Sequence, residues 1–151
     1  MNYVPVEIKV LNDVYVTNPL DYAMPGDAGI DLRSTVDCIL QPGQSHKIPL
    51  GVAINIKLNG VMALIFPRSG LGSEGLVLGN LTGVIDNGYQ GELIATAWNR
   101  TSGDSGKIIS ISKGQKICQM VFVPFLQAVM SQVDVFEPSV RGAAGFGSTG
   151  S

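Results

Sequence analysis

The chain lacks most of the residue patterns on which enzymes build their chemistry. Its one histidine, His46, lies in the polar stretch Gln44–Lys47 and is expected to be a solvated surface residue, which argues against Ser-His-Asp and Cys-His mechanisms. The sequence contains no HExxH pair, no CxxC pair and no GxxxxGKS/T loop. Any bound metal is therefore expected to be held by oxygen atoms, and Mg²⁺ carried by phosphates fits this composition best.

Charge and long apolar runs are also scarce. Charged residues make up 15% of the chain, the net charge is −2, and no Lys/Arg cluster is present, so stable nucleic-acid binding is not expected. No apolar run approaches the roughly 18 residues of a membrane span, and the start of the chain shows no signal peptide. Cys38 and Cys118 fit reduced thiols in a cytoplasmic protein, although the sequence leaves a bridge between them open.

Glycine and proline, in contrast, are abundant. Nineteen glycines and eight prolines separate short segments of period-two hydrophobicity, and the only helical signal is one turn near Gly70–Glu74. This pattern predicts an all-β sandwich or jelly roll, which we expect to occupy residues 1–140 and, given its low charge, to form an oligomer. The segments that alternate are 6–10, 52–58 and 109–111. The continuous apolar runs 61–66 and 120–123 are predicted to be fully buried strands. Turns are predicted at Pro42-Gly43, Asn59-Gly60, Asn87-Gly88 and Lys113-Gly114.

The last residues, 141–151, form a glycine-rich tail with an unusual choice of side chains. Glycine allows close approach of the backbone to a ligand, while Arg141, Ser148 and Thr149 supply donors for phosphate oxygens. Phe146 offers a flat face for stacking. A frayed, polar terminus is the alternative. The presence of an arginine and an aromatic ring favours a mobile lid that closes on a nucleotide.

Two further clusters follow predicted strands. Arg68, Ser69 and Gly70 come directly after an apolar run and suit a phosphate-binding nest, with an ordinary turn as an equal alternative. Asp31 lies in Ala28–Ser34, where aspartate is also common simply as a turn or strand-end residue.

The segment 79–92 contains a carboxylate and a ring close together. Asn87-Gly88 is a strong signal for a two-residue β-hairpin, which is compatible with binding because a hairpin offers main-chain groups at its mouth. Asp86 and Tyr89 flank that turn and are expected to share a pocket, and an aspartate is ionised at pH 7 and able to act as a base. Further along, Gln115 and Gln119 either bind a ligand or satisfy backbone groups.

Taken in order, these five clusters resemble the five sequence motifs of the homotrimeric dUTP pyrophosphatases (dUTPases), from about Ala23 to Gly150. The resemblance implies a distorted jelly-roll β-barrel of the β-clip type and a homotrimer whose C-terminal arm covers a neighbouring subunit's site. It also implies Mg²⁺-assisted hydrolysis of dUTP to dUMP and pyrophosphate, which limits uracil incorporation into DNA and supplies dUMP for dTMP synthesis.

The resemblance also implies a role for each matching residue. Asp86 is similar to the carboxylate that activates the attacking water, and Asp31 to the aspartate that acts near the metal through water. Tyr89 resembles the ring that packs under the deoxyribose. The implied uracil readers are Asn80, Gly83, Val84 and Ile85, the implied phosphate binders are Arg68, Ser69, Gly70 and Gln115, and the implied tail contacts are Arg141, Phe146, Gly147, Ser148 and Thr149.

The departures from the family pattern are small. Gly88 stands where aspartate is more common, Ala144 where glycine is common, Cys118 where alanine is usual, and the connection 73–75 is shorter than in some members. Two other functions remain open: a dCTP deaminase of similar architecture, which would need an acid/base group that the sequence does not show, and a non-enzymatic regulatory module on the same fold.

Overall fold

The computed structural model describes residues 3–102 and 106–143. Within these ranges the chain forms ten β-strands, one short α-helix and a 3-10 turn at Asp13–Tyr15, and every strand pairing is antiparallel. In chain order the elements are β1 (Val6–Val10), β2 (Ile30–Arg33), β3 (Cys38–Leu40), β4 (Ser45–Ile56), β5 (Val61–Pro67), α1 (Ser69–Ser73), β6 (Leu76–Leu78), β7 (Gly83–Ile85), β8 (Glu92–Asn99), β9 (Ile109–Ile111) and β10 (Lys116–Pro124).

Two four-stranded sheets enclose the core. One has the order β1-β4-β8-β6, the other β2-β10-β5-β7, and β3 pairs with β9. Side chains from both large sheets meet in one hydrophobic cluster, in which Leu32, Leu50 and Ile65 are fully buried. Burial of each such side chain contributes about 1.5–3 kcal/mol. The predicted all-β, jelly-roll-like fold and the single helical turn near residue 70 are confirmed.

The long strand β4 contains a bulge at Gly51. The pairing of β4 with β8 shifts register there, and Gly51 has φ of 69°. A Cβ at this position would lie 2.7 Å from side-chain carbons of both Asn12 and Thr35, so only glycine fits. The Gly51 N–H donates to the Glu92 carboxylate at 3.0 Å and thereby ties the bulge to the first residue of β8.

The predicted turns have two outcomes. Pro42-Gly43, Asn59-Gly60 and Lys113-Gly114 each lie in a turn between consecutive strands, as predicted. Asn87-Gly88 also lies in a turn, between β7 and β8, but the predicted two-residue hairpin is wrong, because β7 pairs with β5 whereas β8 pairs with β4 and β6. Local turn chemistry sets the chain reversal, but long-range pairing sends the flanking strands to different sheets.

The two continuous apolar runs form β5 and the centre of β10, but their predicted full burial is wrong. Along β5 the positions alternate between buried and half-buried, as Ala63 and Leu64 illustrate, and Val121, Phe122 and Val123 of β10 are all half-buried. One face of this sheet is therefore only partly covered within a single chain.

Apolar side chains are exposed at two further places. In β1, Ile8 and Val10 are about half exposed. After β10, residues 125–143 contain no strand or helix, and apolar side chains such as Val129 and Phe136 project into solvent with 97% and 86% of their surface exposed. Exposed apolar groups in this number are typical of a surface that takes part in an interaction.

Candidate active site

A carboxylate between two cations forms one part of the site. Asp31 in β2 lies beside β10, which also pairs with β5, so the side chains of three strands converge. The Arg68 Nε lies 2.8 Å from one oxygen of Asp31, and the Lys116 Nζ lies 2.7 Å from the other. Such charge-assisted contacts fix the two cations close together at the end of β5.

The remaining predicted phosphate binders are neighbours in sequence of the two cations. Arg68 precedes α1, and Ser69 and Gly70, both exposed, form the first turn of that helix. Gln115 is next to Lys116, but its side-chain oxygen accepts a hydrogen bond from Ser112 N at 2.9 Å and closes the turn before β10. The structure therefore assigns Gln115 a turn-stabilising contact in addition to its predicted binding role.

Cys118 lies in β10 within the same region. Burial, and to a lesser extent the nearby charge of Asp31, raises the pKa of the Cys118 thiol to about 12. The thiol therefore stays protonated at neutral pH and is a packing group rather than a nucleophile.

A second part of the site is the cavity that contains Asp86 and Tyr89. Asp86 follows β7 directly and is exposed, and its carbonyl accepts a hydrogen bond from Tyr89 N at 3.1 Å. The Asn87 amide donates to the carbonyls of Leu58 at 2.8 Å and Val61 at 3.1 Å, which anchors this turn to the start of β5. The cavity has a volume of about 250 Å³ and is lined by Val84, Ile85, Asp86, Tyr89, Glu92, Leu93 and Ile94.

The predicted base-reading segment lies on an edge strand. β7 is the last strand of its sheet and pairs only on one side, with Ala63–Ile65 of β5. In the described part of the chain, the other edge of Gly83–Ile85 has no strand beside it. Exposed main-chain donors and acceptors of this kind are suited to pairing with the edge of a planar base.

Asn80 lies just before this edge. The main chain there is sharply bent, since Leu81 has φ of 62° and Thr82 N donates to Asn80 O at 2.7 Å. The side-chain amide nitrogen of Asn80 lies 3.7 Å from the position that a Cβ on Gly83 would occupy. The predicted uracil readers Asn80 and Gly83 are thus neighbours in space.

Within one chain the structure does not bring the two parts together. Ile85 lies opposite Ala63 and Gly83 opposite Ile65, so the chain runs from Gly83 to Asp86 away from the end of β5 that carries Arg68. At a rise of about 3.3 Å per residue, Asp86 and Arg68 are roughly 20 Å apart along this sheet. The carboxylate cavity and the cation cluster are at opposite ends of β5.

The predicted tail residues fall into two groups. Arg141 is described and exposed, beyond the last strand of the fold. Phe146, Gly147, Ser148 and Thr149 lie outside the described residues.

Two residues near the site were missed by the sequence reasoning. Lys116 follows Gln115 directly, and its position opposite Arg33 at the start of β10 brings its ammonium group to Asp31. The main-chain carbonyl of Glu92 accepts a hydrogen bond from the Tyr89 hydroxyl at 3.1 Å. The signal for Lys116 was the cation at the beginning of a strand, but its partner depends on pairing between distant segments.

The donor set constrains how a metal could bind. Among the described residues no group of three or more His, Cys, Asp or Glu side chains could hold a metal ion. Mg²⁺ commonly keeps several waters and binds through substrate phosphates and one or two carboxylates. Asp31 beside the cation cluster fits a carboxylate that acts on the water shell of a phosphate-bound ion.

The fold and the site together define an all-β protein with grouped cations, an open strand edge and an exposed carboxylate, a combination suited to nucleotide phosphates. Residues 17–150 match the family model described as dUTPase, and the chain belongs to the dUTPase family.

Curated relatives match over nearly the whole chain. The deoxyuridine 5'-triphosphate nucleotidohydrolase of Leptothrix cholodnii is 48% identical over 148 residues, which cover 96% of each chain. The protein of the same name from Stutzerimonas stutzeri is 50% identical over 134 residues, covering 87% of this chain and 86% of the relative.

Solved structures share the fold. The dUTPase of Staphylococcus bacteriophage 80alpha with dUPNHPP has a TM-score of 0.84 and 30% identity, covering 97% of this chain and 99% of that one. A variant dUTPase from phage phi11 of S. aureus, described as coordinating a structural Mg(II) ion, has a TM-score of 0.75 and 27% identity, covering 89% and 99%. In the described part of this chain, no helix is long and apolar enough to cross a membrane.

Proposed function

We propose that the chain hydrolyses dUTP to dUMP and pyrophosphate. The observation that carries this proposal is the cavity in which Asp86 and Tyr89 meet at the end of the open edge strand β7. A strand edge for the base, a ring for the sugar and a carboxylate able to activate water lie in one place, as hydrolysis of a deoxynucleotide requires. The curated relatives, named as deoxyuridine 5'-triphosphate nucleotidohydrolases, support the same substrate.

The chemical step assigned to Asp86 is proton transfer. Its carboxylate orients a water and accepts its proton as the water oxygen forms a bond to the α-phosphorus. The bond from that phosphorus to the bridging oxygen then breaks, and pyrophosphate leaves with the electron pair. A positioned base of this kind contributes roughly 10²–10⁴-fold.

Charge neutralisation is assigned to the cation cluster. Arg68 and Lys116, both paired with Asp31, offer donors to phosphate oxygens. Ser69, Gly70 and Gln115 complete this region, and Arg141 adds a cation from the tail. Asp31 would contact a triphosphate-bound Mg²⁺ through a water, and the ion would supply further neutralisation of negative charge.

Selectivity for the base is assigned to Asn80 and to the main chain of Gly83, Val84 and Ile85. Uracil presents a donor flanked by two acceptors, and cytosine reverses part of that pattern. A site that pairs with uracil leaves buried polar groups unpaired when cytosine binds, which lowers kcat/KM for the cytosine nucleotide by up to about 10⁴-fold.

A complete site requires more than one chain. The cation cluster and Asp86 lie roughly 20 Å apart along β5, a distance beyond the reach of one triphosphate in contact with both. A homotrimer, the assembly that the sequence motifs imply, brings the two ends of different copies together. The exposed apolar groups of β1 and of residues 125–143 provide the surfaces that such an assembly would cover.

The tail completes the proposed site from a neighbouring copy. In this arrangement Arg141, Ser148 and Thr149 hold the γ-phosphate, while Phe146 and Gly147 cover the base. Closure of such an arm excludes bulk water from the reacting phosphate. The two cysteines are unpaired in the structure, which supports a reducing compartment such as the cytoplasm.

The test is pyrophosphate release from dUTP, dCTP, dTTP and UTP, measured side by side with and without Mg²⁺. We expect release from dUTP in preference to the other three and stimulation by Mg²⁺. Ammonia release from dCTP would instead identify a deaminase, and no turnover of any of the four nucleotides would contradict an enzymatic function.

A further inference from the structure

We propose that Gly91 and Glu92 form a seat that fixes the Tyr89 ring and thereby sets the discrimination between deoxyribose and ribose. The inference rests on the proposed function, because it assumes that Tyr89 packs against the sugar of the substrate. Gly91 and Glu92 act through Tyr89, and both are positioning residues.

The first half of the seat is the contact between Gly91 and the phenol. A Cβ built on Gly91 would lie 2.7 Å from Cζ and 3.1 Å from Cε2 of Tyr89, and closer still to the hydroxyl oxygen. Real Cβ atoms essentially never approach another atom within 3.0 Å, so the ring occupies space that only a glycine leaves open. No side chain at position 91 is compatible with the observed position of Tyr89.

The second half of the seat is a hydrogen bond to a fixed backbone. The Tyr89 hydroxyl donates to the Glu92 carbonyl at 3.1 Å. Glu92 is itself held, because its carboxylate accepts from Gly51 N at 3.0 Å, and Gly51 lies in the β4 bulge where it is confined by Asn12 and Thr35. The ring is therefore tethered through Glu92 to the core of the fold.

Tyr89 would otherwise be free to move. Its side chain is 47% exposed at the mouth of a cavity, so packing alone does not immobilise it. If the ring moved by about 1 Å, the 2′-hydroxyl of a ribose would have more room. A misplacement of that size changes reaction rates by up to about 100-fold. The seat keeps the ring from yielding when a ribonucleotide enters.

The experiment compares Gly91→Ala with the unaltered protein on dUTP and UTP. We expect the ratio of kcat/KM for dUTP to kcat/KM for UTP to fall by about tenfold or more, because the ring loses both its space and its tether. Gly88→Ala is the matched control: it lies in the same loop, and a Cβ there meets nothing within 4 Å. That variant should keep the ratio even if the strained φ of 89° lowers its stability.

Tyr89→Phe provides a second variant in case Gly91→Ala does not fold. It keeps the ring and removes only the tether, so the ratio should fall by less than in Gly91→Ala. An unchanged or raised ratio in either folded variant overturns the seat while leaving the dUTP assignment intact. Equal use of dUTP and UTP by the unaltered protein overturns both the role of Tyr89 and the seat.

Discussion

Among single residues, Asp86 stands out because its carboxylate is exposed while Ile85 before it is paired with β5 and the turn after it is anchored. Asn87 is bonded to two carbonyls before and within β5, and Tyr89 to Glu92. The carboxylate is thus presented from a fixed turn to a cavity. Such a group can be neutralised by substitution without disturbing the surrounding contacts.

Asp86→Asn should therefore retain the affinity for a non-hydrolysable dUTP analogue and lose most turnover, by roughly 10²–10⁴-fold, because the amide cannot accept the proton of water. Steady-state pyrophosphate release and calorimetric titration measure the two effects. Asp21→Asn, an exposed carboxylate in another loop, should leave both unchanged. Hydrolysis at the unaltered rate in Asp86→Asn would show that another group is the base.

Cys118 links a single residue to the pH dependence of folding. Burial raises the pKa of its thiol from 9.0 to about 12, so the folded state retains a proton that the unfolded chain loses above about pH 9. This contribution to stability is fully present below pH 9 and is lost as the pH rises towards 12. The loss proceeds at no more than about 1.4 kcal/mol per pH unit.

Urea unfolding of the unaltered protein and of Cys118→Ala, between about pH 8 and pH 11, measures this effect. The free energy of unfolding should fall with pH more steeply in the unaltered protein than in the variant. Cys38→Ala, at a half-buried position, should change the slope less. Parallel pH curves for Cys118→Ala and the unaltered protein would contradict the assignment.

At the scale of elements, the sequence patterns identified strands better than they identified neighbours. Period-two hydrophobicity predicted β1, β4 and β9, and turn residues predicted the reversals at Gly43, Gly60 and Gly114. The pairing of β7 with β5 was not predictable from Asn87-Gly88, because pairing depends on contacts between distant segments. For the same reason the sequence indicated Asp31 and Arg68 as candidates but not the ion pairs that join them to Lys116.

The end of β8 shows how one polar residue holds several segments. Asn99 is fully buried; its amide nitrogen donates to the carbonyls of Leu40 at 3.0 Å and Lys107 at 2.7 Å, and its oxygen accepts from Thr101. Asn99→Ala leaves these partners unsatisfied and should lower the free energy of unfolding by about 3 kcal/mol. Chemical denaturation measures the change.

Asn18→Ala is the control for that measurement. Asn18 is exposed, its amide donates to Thr17, and its removal should change stability by less than about 0.5 kcal/mol. A comparably small loss in Asn99→Ala would mean that water replaces the buried amide.

At the scale of the whole molecule, the separation between the cation cluster and Asp86 underlies the proposal that each site is shared between copies. Arg68→Ala and Asp86→Asn should each be inactive alone. When the two variants are unfolded and refolded together in equal amounts, the mixture should recover about a quarter of the unaltered rate. About a quarter of the sites then combine an intact Arg68 from one copy with an intact Asp86 from another. Pyrophosphate release before and after mixing measures the recovery.

Refolding the same two variants separately and then mixing them provides the control, since exchange of subunits is then limited. Absence of any recovery after joint refolding, with the mixed oligomer present on a sizing column, would place both groups in one chain.

Truncation after Val140 tests the contribution of the tail. Among the described residues, the last strand ends at Pro124, so the shortened chain should fold and assemble. Activity on dUTP should fall at least about 100-fold, because the γ-phosphate loses its proposed donors and the site its cover. Circular dichroism and sedimentation verify the fold and assembly, and full activity in the shortened protein would exclude a lid.

The open edge of β7 has a consequence for the behaviour of the protein in concentrated solution. An unpaired strand edge can add a strand from another molecule, which is a common start of aggregation. β7 is only three residues long and is bounded by the left-handed Leu81 on one side and the charged Asp86 on the other. A three-residue edge between a bend and a negative charge leaves its main-chain groups accessible to a small planar ring but offers little length for an added strand, which disfavours polymerisation through this edge.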